Sequence, residues 1–182
     1  MRKIHLIANW KANPKELSDA KRLALGFKGG LMKARFTDVA LAVPHPFLFS
    51  VGEVLGKSER CRIAAQDVSP VNEGAHTGSV TASMLKSLGV REVIVGHSER
   101  RAQGLTDEGV RIRVEKILKS GLTVVLCVGE RERDTHGAYL KTIESQLLTA
   151  LKNVQKSKSG RLIVAYEPVW AISTSKDNLG QP

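Results

Sequence analysis

The chain predicts an α/β fold of the parallel kind, with strands joined by helices. Three observations lead there. Strand-like and helix-like segments alternate along the whole of its 182 residues. The strand-like runs are short and almost wholly apolar, without the strict alternation of a half-solvated sheet, so both their faces are expected to be covered. The helix-like runs carry one apolar stripe and begin or end at recognisable caps. Repeated strand–helix units give either a doubly wound sheet or a barrel, and periodicity alone does not separate the two.

Each element has a local reason. Residues 3–8 form the first apolar run, and residues 14–32 are helical in pattern. Residues 38–43 make a second strand, stopped by Pro44 and Pro46, with a short helix over 47–55. Proline ends a strand because it has no N–H to donate to the ladder. A third strand over 62–65 leads into a glycine-rich loop from Ser69 to Gly78. The helix over 80–88 ends at Gly89, a residue that readily takes the left-handed cap position. Strand four is 92–95. Thr106 can cap the next helix, with Asp107 and Glu108 near its positive end. Val110, Val114, Ile117 and Leu118 stripe that helix, and Gly121 closes it before strand five, 122–128. Tyr139, Leu140, Ile143, Leu147, Leu151 and Val154 suggest an apolar stripe on a further helix, followed by strand six over 161–165.

Composition narrows the functional class. Charged residues are 25% and hydrophobic residues 42%, ordinary values for a globular protein. One domain is the default at this length. No apolar run approaches the roughly 18 residues of a membrane helix, and the N-terminus lacks the apolar core of a signal peptide. A cytoplasmic protein without membrane partners is expected. Cys61 opens one expected strand and Cys127 closes another two strands on. Neighbouring strands lie about 4.8 Å apart, so no disulfide is expected. Neither cysteine belongs to a Cys-x-x-Cys pair, so no metal site is expected.

The net charge of +10 invites a nucleic-acid reading. Against it, the lysines and arginines are dispersed, and aromatic residues are only 4%, too few for stacking platforms. The clusters at Lys152–Lys158 and Arg131–Arg133 are expected on solvated surfaces. The segment Gly52-Glu53-Val54-Leu55-Gly56-Lys57-Ser58 approaches a phosphate-binding loop, but Val51 stands where the first glycine is required. No Gly-x-Gly-x-x-Gly follows a strand, and the His-x-Glu at His97 has no Pro-Cys-x-x-Cys partner, so dinucleotide binding and zinc deaminase chemistry are unsupported.

Two strand-end segments carry the chemistry. Val95-Gly96-His97-Ser98-Glu99-Arg100-Arg101 and Ala165-Tyr166-Glu167-Pro168-Val169-Trp170 each deliver an ionisable side chain just past an apolar run. A carboxylate and an imidazole facing one cavity can move a proton beside a carbonyl group. With Asn9-Trp10-Lys11, Ala65-Gln66-Asp67-Val68, Gly74-Ala75-His76-Thr77-Gly78 and Cys127-Val128-Gly129-Glu130, these segments form an ordered series from residue 4 to residue 175. That series resembles the triosephosphate isomerases.

The resemblance selects the TIM (β/α)8 barrel, for which this family is itself the type case. Such a barrel has eight units and typically about 250 residues. Six strands are expected here, so the chain reads as a single, incomplete barrel domain over 1–182, with units seven and eight missing. The resemblance implies interconversion of dihydroxyacetone phosphate and glyceraldehyde 3-phosphate through an enediolate, with no cofactor. A catalytically inactive fragment lacking the C-terminal phosphate-binding loops is the alternative. A nucleic-acid-binding module is a third and weaker reading.

Residue by residue, the resemblance makes Glu167 the base and His97 the neutral electrophile, as is known for this family. Asn9, Lys11 and the backbone of Ser173 bind substrate, and Glu99 supports the site, its simplest role an ion pair with a nearby lysine. Residues 168–176 match the lid, where Ser173 and Ser175 replace glycines found in most members. Thr77 matches the tip of the loop that enters the partner subunit in the family's homodimer. Ser79 stands where the family usually has a glutamate, removing one ion pair with an arginine such as Arg100.

Overall fold

The computed structural model describes residues 4–31 and 37–172. The protein packs as two compact units, Met1–Val93 and Ile94–Pro182. The boundary falls inside one strand, β4 (Glu92–Val95).

In the N-terminal unit, β1 (Ile4–Asn9), β2 (Thr37–Val43), β3 (Cys61–Ala65) and the start of β4 lie side by side in sequence order. All three pairings are parallel. Ile4 lies opposite Thr37, Val39 opposite Cys61, and Ala64 opposite Glu92. A doubly wound sheet reverses its strand order at a switch point; this unit shows no reversal, as a barrel requires. Between the strands run α1 (Leu17–Leu31), α2 (Leu48–Leu55) and α3 (Ala82–Ser87). Val39 to Val43 of β2 are all buried, with Leu48, Val51 and Leu55 of α2. Burying each such side chain is worth roughly 1.5–3 kcal/mol. Thr81 caps α3 by accepting a hydrogen bond from Met84 N. The near-match to a phosphate loop lies across the end of α2, not before a helix, and Gly56 at φ +66° terminates that helix.

The C-terminal unit contains the end of β4, α4 (Ser98–Ala102), α5 (Asp107–Lys119), β5 (Thr123–Val128), α6 (Ala138–Leu151) and β6 (Leu162–Tyr166). Strands β5 and β6 pair in parallel, Val124 opposite Leu162 and Val128 opposite Tyr166. Val110, Val114, Ile117 and Leu118 of α5 are buried as their spacing predicts, and Thr106 caps the helix through Gly109 N at 3.1 Å. The stripe expected on α6 holds in part. Tyr139, Ile143, Leu147 and Leu151 are half-buried and Leu140 is exposed, while the fully buried residues are Gln146 and Ala150. The reason is polar: the Gln146 amide is committed to backbone groups of Gly129, and that commitment fixes which side of α6 faces inward. Among the described residues, no helix is long and apolar enough to cross a membrane.

Candidate active site

The end of β4 builds the first half of the site. Gly96 adopts φ +77°, and a Cβ there would stand 2.9 Å from the carbonyl oxygen of Cys127, so glycine is required both for the turn and for the close approach. The turn delivers His97, which is buried, as the cap of α4. His97 Nδ1 accepts the Glu99 backbone N–H at 3.2 Å. A neutral imidazole that accepts at Nδ1 carries its proton on Nε2. His97 Nε2 lies 2.9 Å from Oε1 of Glu167, and this N–H donates to the carboxylate. Glu99 Oε2 lies 3.7 Å from His97 Nδ1.

Glu167 follows directly after β6. Its backbone N–H donates to Val128 O at 2.8 Å. Its second carboxylate oxygen accepts the Ser98 N–H at 3.2 Å. Burial alone would push this carboxyl above the usual range; the hydrogen bonds from His97 and Ser98 bring it below. The group is therefore an ionised base at neutral pH. Beside it, burial and then the Glu167 charge push the Cys127 thiol up to about 12, so this sulfur stays protonated and serves as packing, not as a nucleophile.

Below Glu167 the two strand ends touch. A Cβ on Gly129 would sit 2.0 Å from the carbonyl oxygen of Glu167. Gly129 is in turn held on both sides by Gln146, whose Oε1 accepts the Gly129 N–H at 2.9 Å and whose Nε2 donates to Gly129 O at 3.1 Å. Glu130, also buried, accepts from the Tyr166 hydroxyl at 2.9 Å and from Trp170 Nε1 at 2.9 Å. Burial opposes ionisation of Glu130, and those donors together with Arg133 overcome it, leaving the carboxyl below its ordinary range. Arg133 is exposed, as expected of its cluster, and its guanidinium lies 4.6 Å from the centre of the Tyr139 ring and 4.9 Å from that of Trp170.

Asn9 and Lys11 belong to the N-terminal unit, at the end of β1. Asn9 Oδ1 accepts the Lys11 N–H at 2.9 Å. Lys11 holds φ +54°, uncommon for a residue with a side chain and costing of order 1 kcal/mol. Gln66 stabilises that conformation by donating to Lys11 O at 2.8 Å and to Ala42 O at 2.9 Å. Two pairs of expected site residues are thus brought together: His97 with Glu167, and Asn9 with Lys11. Ser173, with Thr174, Ser175 and Lys176, lies outside the described residues. Sequence reasoning did not single out Gln66, Ser98, Gly129, Gln146 or Arg133. Gln66, Ser98 and Gly129 stand inside the strand-end motifs, which is the available signal; Arg133 stands only in a basic cluster expected at the surface, and nothing marks Gln146. Among the described residues, no group of three His, Cys, Asp or Glu side chains is placed to hold a metal ion.

Comparison with known proteins gives this geometry its context. The model of the family described as Triosephosphate isomerase matches residues 4–179. The chain belongs to the triosephosphate isomerase family. It is 41% identical to the triosephosphate isomerase of Paracidovorax citrulli over 97% of this chain and 71% of that protein. It is 42% identical to that of Trichodesmium erythraeum over 96% and 71% of the two chains, and 38% identical to that of Chlorobium phaeobacteroides over 97% and 70%. As a triosephosphate isomerase family member, the chain has the TIM-barrel fold class, and its strand–helix units are about the first six of that barrel.

Proposed function

We propose that Glu167 and His97 are the acid–base pair of a triose-phosphate isomerase. The chain's family activity is the interconversion of dihydroxyacetone phosphate and D-glyceraldehyde 3-phosphate. Its hard step is removal of a proton from carbon beside a carbonyl. The observation that supports the assignment best is the 2.9 Å contact between His97 Nε2 and Glu167 Oε1, with Nδ1 already occupied by the Glu99 N–H. The arrangement supplies an ionised carboxylate and a neutral N–H donor side by side.

In this reading Glu167 exchanges its bond to His97 for the substrate carbon. It takes the proton from one carbon and returns it to the next. His97 Nε2–H donates to the substrate oxygen as negative charge builds there, which favours the transition state over the ground state. Lys11 offsets the charge of the enediolate, Asn9 fixes the backbone of Lys11 through its Oδ1, and the Ser173 N–H contacts phosphate. Glu99 supports His97 through the backbone N–H that sets its tautomer. The steps need no cofactor. The protein acts in the cytoplasm as a homodimer through the loop around Thr77, with no nucleic-acid or membrane partner. That loop is exposed at Thr77, and its base is tied by Glu73, which accepts from Thr81 at 2.8 Å and from Ser83.

The test is the isomerase rate of the 182-residue chain against its Glu167→Gln variant. The variant is expected to lose at least ~10² in turnover, the low end for an acid–base group. Wild-type turnover in the variant overturns the assignment. Sedimentation of the same protein tests the dimer, and a monomer at micromolar concentration removes that part of the reading.

A further inference from the structure

We propose that Arg133 is a positioning residue for Glu167, a cationic clamp that grips the chain on both sides of the base. Tyr166 immediately precedes Glu167, and Trp170 follows it by three residues. Arg133 holds both. Its Nη2 donates to the Tyr166 hydroxyl at 2.5 Å, and the guanidinium lies 4.9 Å from the centre of the Trp170 ring. The Tyr139 ring, 4.6 Å away at the start of α6, gives the guanidinium a second aromatic contact. Arg133 Nε also lies 3.3 Å from Glu130 Oε1, the oxygen that accepts from both Tyr166 and Trp170.

The arrangement is directional. The Tyr166 hydroxyl has one proton, and it is given to Glu130; its lone pair is taken by Arg133. Trp170 has only a donor, and it too is given to Glu130. Two residues flanking the base therefore converge on one buried carboxylate. Arg133 offsets the charge of that carboxylate, covers the Trp170 ring and holds the Tyr166 hydroxyl. A lysine at this position keeps the charge but has neither the planar face nor the fork. Loss of the clamp frees Tyr166 and Trp170 together, and the backbone between them carries Glu167. A shift of that backbone affects the rate of proton transfer more than substrate affinity, because the bond to carbon is made only in the transition state.

The proposal rests on the reading of Glu167 as the base, and the experiment separates the two. The whole chain is studied with Trp10→Phe, so that Trp170 is its only tryptophan, as wild type at 133 and as Arg133→Gln and Arg133→Lys. In Arg133→Gln, acrylamide quenching of Trp170 is expected to rise about twofold and kcat to fall about tenfold, with KM changed by less than about threefold. Arg133→Lys is expected to fall between, with the circular dichroism of all three superimposable. Quenching in Arg133→Gln equal to wild type overturns the clamp. Increased quenching with unchanged kcat overturns its positioning role. Should Arg133→Gln fail to fold, Arg133→Lys decides by the same two measurements. Failure of the base assignment is seen separately, as retained turnover in Glu167→Gln.

Discussion

The sharpest consequence of the site geometry concerns Gly129, which has no side chain to contribute. A methyl group there would stand 2.0 Å from the Glu167 carbonyl oxygen, 2.5 Å from its carbonyl carbon and 3.1 Å from Pro168 N. Ordinary contact begins near 3.4 Å, so the Glu167 backbone and the Gly129 backbone must part by about 1.4 Å. Gly129 is the less able to yield. Gln146 brackets its N–H and its carbonyl, and Gln146 is itself buried on α6. Most of the displacement therefore falls on Glu167. Its carboxylate sits 2.9 Å from His97 Nε2, and a misplacement of about 1 Å at a reacting group costs about 10²-fold in rate.

Gly129→Ala is thus expected to lower kcat by about 10²-fold while the protein still folds. Forcing a methyl group into packed surroundings costs about 1–3 kcal/mol. At this chain length that is a fall in Tm of roughly 2–4 °C per kcal/mol. The assay is the coupled isomerase rate beside a thermal melt. Adding Gln146→Ala gives a second reading, because releasing Gly129 lets it share the displacement: the double variant should recover part of the rate lost in Gly129→Ala. A Gly129→Ala protein with kcat within threefold of wild type would show that the strand ends part without moving the base, and the packing argument would fail.

Two further outcomes follow from buried charge. Glu167 and Glu130 have folded pKa values below their ordinary values, so the unfolded chain binds more protons as the solution is acidified. Their contribution to stability is full above the ordinary value of about 4.5 and is lost as pH falls through the lowered folded values; urea midpoints measured from pH 6 downwards should fall less steeply in Glu167→Gln than in wild type, and parallel curves would refute the linkage. In the N-terminal unit, Glu92 is buried between Arg62 at 3.2 Å and His5 at 3.1 Å. Glu92→Ala strands the Arg62 charge and is expected to cost about 3 kcal/mol, the low end for breaking a buried pair because Arg62 keeps 18% of its side chain exposed; urea unfolding checks it, and a loss below about 1 kcal/mol would mean that Arg62 turns to solvent instead.

What the sequence makes legible is whatever depends on neighbours along the chain. Strand β4 is found at 92–95 because four apolar-rich residues follow a glycine helix end and precede Gly96. Thr106 is legible as a cap because capping is a matter of three consecutive residues. The His97–Glu167 pair is legible by another route, since each residue ends a strand and the ordered motifs identify the family that gives them roles. Helix α6 shows where this stops. Within its expected stripe Leu140 is exposed, while Gln146, which lies outside that stripe, is buried. A buried amide is stable only if its hydrogen bonds are satisfied, and the satisfying groups are 17 residues away on Gly129.

Arg133 makes the same point. In a run of alternating arginine and glutamate, a solvated surface is the default, and Arg131, Glu132 and Arg133 are all exposed. What sets Arg133 apart is its partners, the rings of Tyr139 and Trp170, the Tyr166 hydroxyl and the Glu130 carboxylate, of which only Glu130 and Tyr139 are close in sequence. Motif and period identify which residues do chemistry, because those must be specific atoms at strand ends. They do not identify which residues hold that chemistry in place, because a donor for a hydroxyl, a cation for a ring or the absence of a methyl group can be supplied from anywhere the fold brings near. Gly129, Gln146 and Arg133 are three such answers to one requirement, that the backbone of Glu167 be held within about an ångström of a single position.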